Sequence, residues 1–390
     1  MSPMTTYWII LAAGILLSAG LFIFFTRLGR YSILRAGLGF LLGFPLAWLF
    51  AKAFYVIIFS ASLPQGRSVW LSLRPEEFSF VAGCVGFCLG PVLLFADRRK
   101  EIPGVLDQLA LPGCILAGTV RFTEIYLAVS DISNIGLADF ALKKTDVLYP
   151  ALLNRFFWSV PLQIGGSKRI QLQPVVSTPT ALTILAVAVY IGVLWGLSKR
   201  KNTGLAKGMV FERCVFLLCA SRVFWEMFHA RMKFFFVPVD QALCAIIIIA
   251  LTAGTAVRHK KATGHFPVWP FIPMIHCIVI NALAQFFMDG KNYLLSESVI
   301  EWGQELLKDF RDIFQTKIMG FAIILATCIA LIVIFGLLCL KVTNAGRRSK
   351  KPDGVQLSDA PTQEKTADMQ KAGQAENAAR KEATGPCENC

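Results

Sequence analysis

The stretch "IMGFAIILATCIALIVIFGLLCL" (residues 318–340) carries no charged side chain from end to end. A helix needs about 20 consecutive apolar residues to cross the hydrocarbon core of a bilayer, and this run supplies them. It has company along the chain. Further apolar runs lie near 7–25, 37–60, 78–96, 105–127, 180–198, 209–228, 240–257 and 267–288. Hydrophobic residues make up 55% of the 390 and charged residues only 16%, where soluble domains carry about a quarter charged. Lipid cannot satisfy an open sheet edge, so the spans must be helices. The expected fold is an all-α polytopic membrane protein with nine spans.

The net charge of +14 is distributed unevenly. Arg27, Arg30 and Arg35 follow the first run, and Arg98, Arg99 and Lys100 the third. Lys199, Arg200, Lys201 and Lys207 follow the fifth, and Arg258, Lys260 and Lys261 the seventh. Lys341, Arg347, Arg348, Lys350 and Lys351 follow the ninth. Basic clusters on every second loop lie on one side, and the positive-inside rule makes that side cytoplasmic. The amino terminus is then expected outside and the tail inside. Topology accounts for the basic charge, so a nucleic-acid partner is not expected.

The first run is long, with no basic residue before it and no small-residue cleavage pattern after it, so it reads as a retained helix. Of the eleven cysteines, most sit in apolar runs, Cys84, Cys88, Cys114 and Cys328 among them, and buried Cys behaves as a small hydrophobe. The terminal "CENC" (387–390) is a weak metal or redox signal. Two outer segments are long. Residues 128–179 suit a small extracytoplasmic head. Residues 290–317 place Val299, Trp302, Leu306, Phe310 and Ile313 at helical spacing. That pattern predicts an amphipathic helix lying on the outer leaflet or packed against the head. The polar tail, 342–390, is expected to be disordered and cytoplasmic.

Ionisable groups interrupt this apolar background at one depth. "CASRVFWEMFHAR" (219–231) sets Arg222 and Glu226 four apart, on one helix face. "GTVRFTEIY" (118–126) sets Arg121 and Glu124 three apart. Lys52 and Tyr55 lie in the second run, Gln241 opens the seventh and Tyr7 opens the first. With the expected topology all of them fall in the outer half. Intrahelical pairing with snorkelling accounts for each pair alone. A shared level and a preference for Arg, whose planar fork suits phosphate, point instead to a phospholipid headgroup pocket.

The same residues carry a resemblance. Arg222-Val-Phe-Trp-Glu226, then Asp240-Gln241 and an apolar run, resembles the Arg-Phe-x-x-Glu-Phe element and following Gly-Gln of the prolipoprotein diacylglyceryl transferase family. "EFSFVAGCVGFCLGPVLLFADRRK" (77–100), then Asp107 and Arg121, resembles the family's Ser-Phe-His-Gly-Gly element, basic loop, Asp and Gly-Arg element. "AKAFYVIIF" (51–59) is similar to its Gly-Arg-x-Gly-Tyr stretch, and Tyr7 stands where the family opens its first helix. Residues 5–260 are covered, as a distant and degenerate member. The family His is Val81 here, its second-helix Arg is Lys52, and Glu124 replaces its first Asn. The His-Pro-x-Gln-Leu-Tyr element has no counterpart beyond "QPVVSTPT" (173–180).

The resemblance implies a seven-helix core over 1–260, with the head at 128–179 and two additional helices over 261–341. It implies a multi-pass protein of the bacterial cytoplasmic membrane that moves diacylglyceryl from phosphatidylglycerol to a lipobox cysteine of a prolipoprotein signal peptide. No cofactor or metal is called for. Arg121 and Arg222 would hold the phosphate, and Glu226 would orient an Arg. His229 at the mouth would supply a base for a thiol of pKa about 8.5, or be an interfacial side chain. Tyr7, Lys52, Tyr55, Glu124 and Gln241 would line the lipid site. Two alternatives stand beside this one: a catalytically silent relative that binds phospholipid or lipoprotein, and a membrane transporter.

Overall fold

The computed structural model describes residues 2–59, 70, 77–130, 159–163, 170–200, 205–226, 228, 233–234, 237–288 and 317–350. The chain divides into two units, Met1–Arg347 and Arg348–Cys390, and the helical bundle forms the first. Its helices are α1 (Pro3–Leu28), α2 (Ile33–Phe59), α3 (Phe80–Leu94), α4 (Ile102–Val129), α5 (Ser177–Ser198), α6 (Met209–Glu226), α7 (Val239–Thr263), α8 (Phe271–Met288) and α9 (Lys317–Lys350). A 3-10 turn at Ala96–Arg98 and two short antiparallel pairs complete the described elements. β1 (Ser159–Gln163) pairs with β2 (Ile170–Pro174), and β3 (Lys233–Phe234) with β4 (Val237–Pro238).

Six helices are long and apolar enough to cross a membrane: α1, α2, α4, α5, α7 and α9. The protein is an all-α polytopic membrane protein. The remaining three fall short for different reasons. α3 and α8 are short apolar helices. α6 carries Glu212, Arg213, Arg222 and Glu226 within its 18 residues. The helix expected to end near 340 continues to Lys350, beyond the start at 342 assigned to a disordered tail. The central parts of the head segment, the amphipathic stretch up to 316, His229, Arg231 and the terminal CENC lie outside the described residues.

Small residues set the closest helix crossing. Gly39, Gly43, Ala47 and Ala51 recur every four residues on α2, and Gly83, Gly86 and Gly90 face them from α3. A Cβ at Gly90 would stand 2.2 Å from the Gly39 carbonyl oxygen, and one at Gly86 would stand 2.5 Å from that of Leu46. Lipid is as apolar as Leu, so helices in a membrane associate through such backbone approach and through interhelical hydrogen bonds. Elsewhere Ser18 on α1 donates to the Pro112 carbonyl of α4 at 2.7 Å.

The last two helices share a core with α6 and α7. Phe216 of α6 stacks on Phe335 of α9 with centroids 3.8 Å apart and planes 3° from parallel. Ala220, Cys244, Ile248, Met274, Ala284, Ile324, Cys328 and Leu331 are buried in the same cluster, contributed by α6, α7, α8 and α9.

Polar contacts fix which helix ends meet. At one end Arg35, in the first turn of α2, makes a two-pronged contact with Asp97, at 2.7 and 2.6 Å. Asp97 lies in the 3-10 turn after α3, and this hydrogen-bonded guanidinium holds its carboxyl below the ordinary value. At the same end Asp107 of α4 caps α6, accepting from Gly208 N at 2.6 Å and Phe211 N at 2.9 Å. Gly208 has φ +91°, a conformation glycine adopts without strain. Glu212 of α6 meets Arg258 near the end of α7, and Arg213 donates to Thr343 of α9 at 3.1 Å. The helices therefore alternate in direction, and the described basic residues that follow α1, α3, α5 and α7 lie at this end.

Candidate functional site

The opposite end holds the other ionisable groups. They are organised by the amino terminus of α3. Ser79 is its N-cap, with Oγ accepting from Ala82 N at 3.2 Å. Ser is favoured there because the first amides of a helix have no intrahelical partner. The Ser79 hydroxyl donates in turn to Oδ1 of Asp240, and Phe80 N donates to Oδ2 at 3.2 Å. Asp240 is in the first turn of α7, so a single carboxylate joins α7 to the positive end of α3. Ser79 N donates to the Ala51 carbonyl of α2 at 3.2 Å. The preceding residue but one, Glu77, receives Lys52 Nζ of α2 at 2.7 Å.

Two guanidiniums approach the ring of Phe80. Arg121 Cζ of α4 is 3.8 Å from its centroid and Arg222 Cζ of α6 is 5.4 Å away. Cations are drawn to an aromatic face, more so where water is excluded. Arg121 is fully buried and Arg222 is 5% exposed. Each also has a carboxylate on its own helix. Arg121 Nη1 donates to Glu124 Oε1 at 2.5 Å, and Arg222 pairs with Glu226. Arg222 Nη2 lies 3.5 Å from Asp240 Oδ2 as well. Lys52, fully buried, sits 4.6 Å from the Phe78 ring and 6.0 Å from that of Tyr55.

Arg121, Arg222, Lys52, Glu124 and Glu226 are thus buried at one end of the bundle, and Tyr55 is buried beside Lys52. Tyr7, half-buried near the start of α1, is within electrostatic range of Glu124. Gln241 is buried on α7, donating to the Val223 carbonyl at 3.1 Å and to Asn281 Oδ1 at 3.4 Å. His229 lies outside the described residues. The expected cationic pocket is in fact a charge-paired cluster, in which Glu77, Glu124, Glu226 and Asp240 face Lys52, Arg121 and Arg222. Buried ions persist only when compensated.

Several participants escape a reading by residue class alone. Phe80 looks like one more apolar residue of a span. Ser79 is recognisable only as a cap before a helix start, and Glu77 only as a charge just outside one. Asp240 was legible through its place beside Gln241. Asn281 stands in an apolar run, where a carboxamide is costly, and that was its signal.

Not every polar atom is matched. Among the described residues Nε and Nη1 of Arg222 have no hydrogen-bond acceptor, and neither does Glu124 Oε2 have a donor. Val81 is 7% exposed and part of the apolar core. No three His, Cys, Asp or Glu side chains gather to hold a metal ion among the described residues. The chain matches no family model, no curated protein and no solved structure. Two buried guanidiniums lie near one aromatic ring, and one of them has donors without an acceptor among the described residues. That arrangement can receive an oxyanion with two or more oxygens.

Proposed function

We propose that this protein binds the headgroup phosphate of an anionic phospholipid at Arg121 and Arg222. We further propose that it passes the diacylglyceryl group to a cysteine thiol, as the transferases it resembles do. The single observation that carries the reading is the pair of buried guanidiniums beside the Phe80 ring, with Nε and Nη1 of Arg222 lacking an acceptor among the described residues. In water a guanidinium gains little from a phosphate, whereas in a low-dielectric pocket the same contact is much stronger. In the proposed reaction the thiolate sulfur bonds to the glycerol carbon bearing the phosphate. The carbon–oxygen bond breaks, and glycerol phosphate leaves with the electron pair, its charge held by the two Arg side chains.

The thiol proton needs an acceptor. Glu124 is a site carboxylate with one oxygen unmatched among the described residues, and His229 is the other base assigned to the mouth. The substrates place the reaction on the outer face of the bacterial cytoplasmic membrane, with nine spans, the amino terminus outside and the tail cytoplasmic.

A second reading, a phospholipid-binding relative without chemistry, has its own observation in its favour. Val81 is buried where the family carries its His, and carboxylates already face each cation. The test is mass spectrometry of a lipobox peptide incubated with the purified protein and phosphatidylglycerol. A diacylglyceryl mass increment on the cysteine, absent with Arg222→Lys, is expected. A peptide left unmodified while phosphatidylglycerol binds would leave the silent reading in place of the transferase.

A further inference from the structure

Two thiols meet where α4 packs against α6. Cys114 of α4 and Cys214 of α6 are both buried, and their sulfurs stand 3.2 Å apart. Non-bonded carbons rest at about 3.5–4.0 Å, and sulfur is the larger atom, so this contact is closer than packing alone requires. Cys214 Sγ also points at the Ala110 carbonyl, at 3.6 Å, one turn before Cys114. Ala110, Cys114 and Ala117 line α4 along this seam. Small residues let two helix backbones approach, and a disulfide needs that approach, with Cα atoms about 4.4–6.8 Å apart. Closing the bond would bring the sulfurs from 3.2 Å to about 2.0 Å, a change that side-chain rotation supplies. Burial as a small hydrophobe explains each cysteine alone. It does not explain why one thiol faces another, since a thiol is a weak donor and a weak acceptor.

We propose that Cys114 and Cys214 are a covalent modification site, the two halves of a disulfide that ties α4 to α6 inside the membrane. The step is a two-electron oxidation. Both S–H bonds break, the S–S bond forms, and two electrons and two protons pass to a lipid-soluble quinone, which becomes the quinol. A quinone dissolves in the same hydrocarbon as the helices, and both thiols face lipid before α6 packs against α4. Cys114 lies near the middle of a helix long enough to span the bilayer. Once the bundle closes, the bond is therefore out of reach of water-soluble thiols, which reduce disulfides by thiolate attack. The two helices carry Arg121 and Arg222, so the bond fixes the spacing of the guanidiniums. It stands whether or not they bind phosphate.

The experiment maps the bond in the full chain. Cells are quenched in acid, and the protein is alkylated with N-ethylmaleimide in denaturant before purification, so that no thiol oxidises in handling. Trypsin then releases Cys114 in residues 101–121 and Cys214 in residues 214–222. The two peptides should be joined in most chains. The second peptide also holds Cys219, which touches Cys244 of α7, so fragmentation must place the bond on Cys214. Maleimide on both Cys114 and Cys214 in most chains would overturn the proposal. So would a bond from either of them to a different cysteine.

Stability gives a second reading. The partners are 100 residues apart in the chain, and a cross-link over so long a loop should raise the unfolding midpoint by about 5–10 °C. Cys114→Ala, Cys214→Ala and the double variant should therefore share nearly one midpoint, below that of the wild type, because each removes the same bond. Losses that add in the double variant would mark two separately packed thiols and overturn the disulfide. If a variant fails to fold, the peptide map of the wild type decides the matter by itself.

Discussion

Arg222 is held by two carboxylates, Glu226 one turn along its own helix and Asp240 across on α7. Replacing it with Met would strand both. Breaking a buried pair from one side costs about 3–5 kcal/mol, chiefly through the charge left behind. Thermal unfolding of Arg222→Met in detergent should therefore fall well below wild type. The double variant Arg222→Met, Glu226→Gln should recover much of that loss, because an uncharged carboxamide tolerates burial better. The two roles of Arg222 separate when phosphatidylglycerol is added. The wild type should gain stability from the lipid and the double variant should not. A double variant that still responds to phosphatidylglycerol would show that Arg222 is a structural ion and not a phosphate ligand.

At the scale of elements, the α2–α3 pair positions the site. Ala51 precedes Lys52 and accepts from Ser79 N, so the glycine-lined crossing determines where Lys52 stands relative to Phe80. A Cβ at Gly90 would meet the backbone of Gly39 at 2.2 Å and of Gly43 at 2.6 Å. No flexible side chain is there to yield. Gly to Ala inside a helix ordinarily gains up to about 1 kcal/mol, but overpacking costs about 1–3 kcal/mol, and backbone against backbone belongs at the upper end. Gly90→Ala should lower the unfolding midpoint. Gly37→Ala, with nothing within 4 Å of the added carbon, should leave it unchanged or raise it. Equal behaviour of the two variants would mean that the α2–α3 crossing is looser than the structure has it.

At the scale of the whole molecule, the alternation of helix direction separates two ends of opposite character. One carries the described basic residues after α1, α3, α5 and α7, with Asp97 and Asp107, and the other carries the ion pairs near Phe80. Lys and Arg resist translocation, so the basic end should face the cytoplasm. A GFP fusion after Gly346 should fluoresce, and an alkaline phosphatase fusion at the same point should be inactive. An active phosphatase there would invert the molecule and put the Arg121–Arg222 site on the cytoplasmic side.

The membrane class, the all-helical architecture and the common level of Arg121, Glu124, Arg222 and Glu226 follow from the sequence by itself. The reason is local: an uncharged run such as 318–340 has no stable place outside lipid, and residues three or four apart on a helix share a face whatever surrounds them. What each charge meets across helices was decided by tertiary structure. Lys52 finds Glu77, Asp240 finds Ser79 and the amide of Phe80, and both guanidiniums find one ring. Those contacts depend on how far a particular glycine lets two backbones approach and on which helix lies beside which, and neither quantity is encoded in the spacing along any single helix. The same holds for α8 and α9, which the sequence marks only as further apolar runs. Only their packing against α6 and α7 brings Asn281 to Gln241, because hydrogen bonds in the bilayer form wherever packing aligns the few polar groups available.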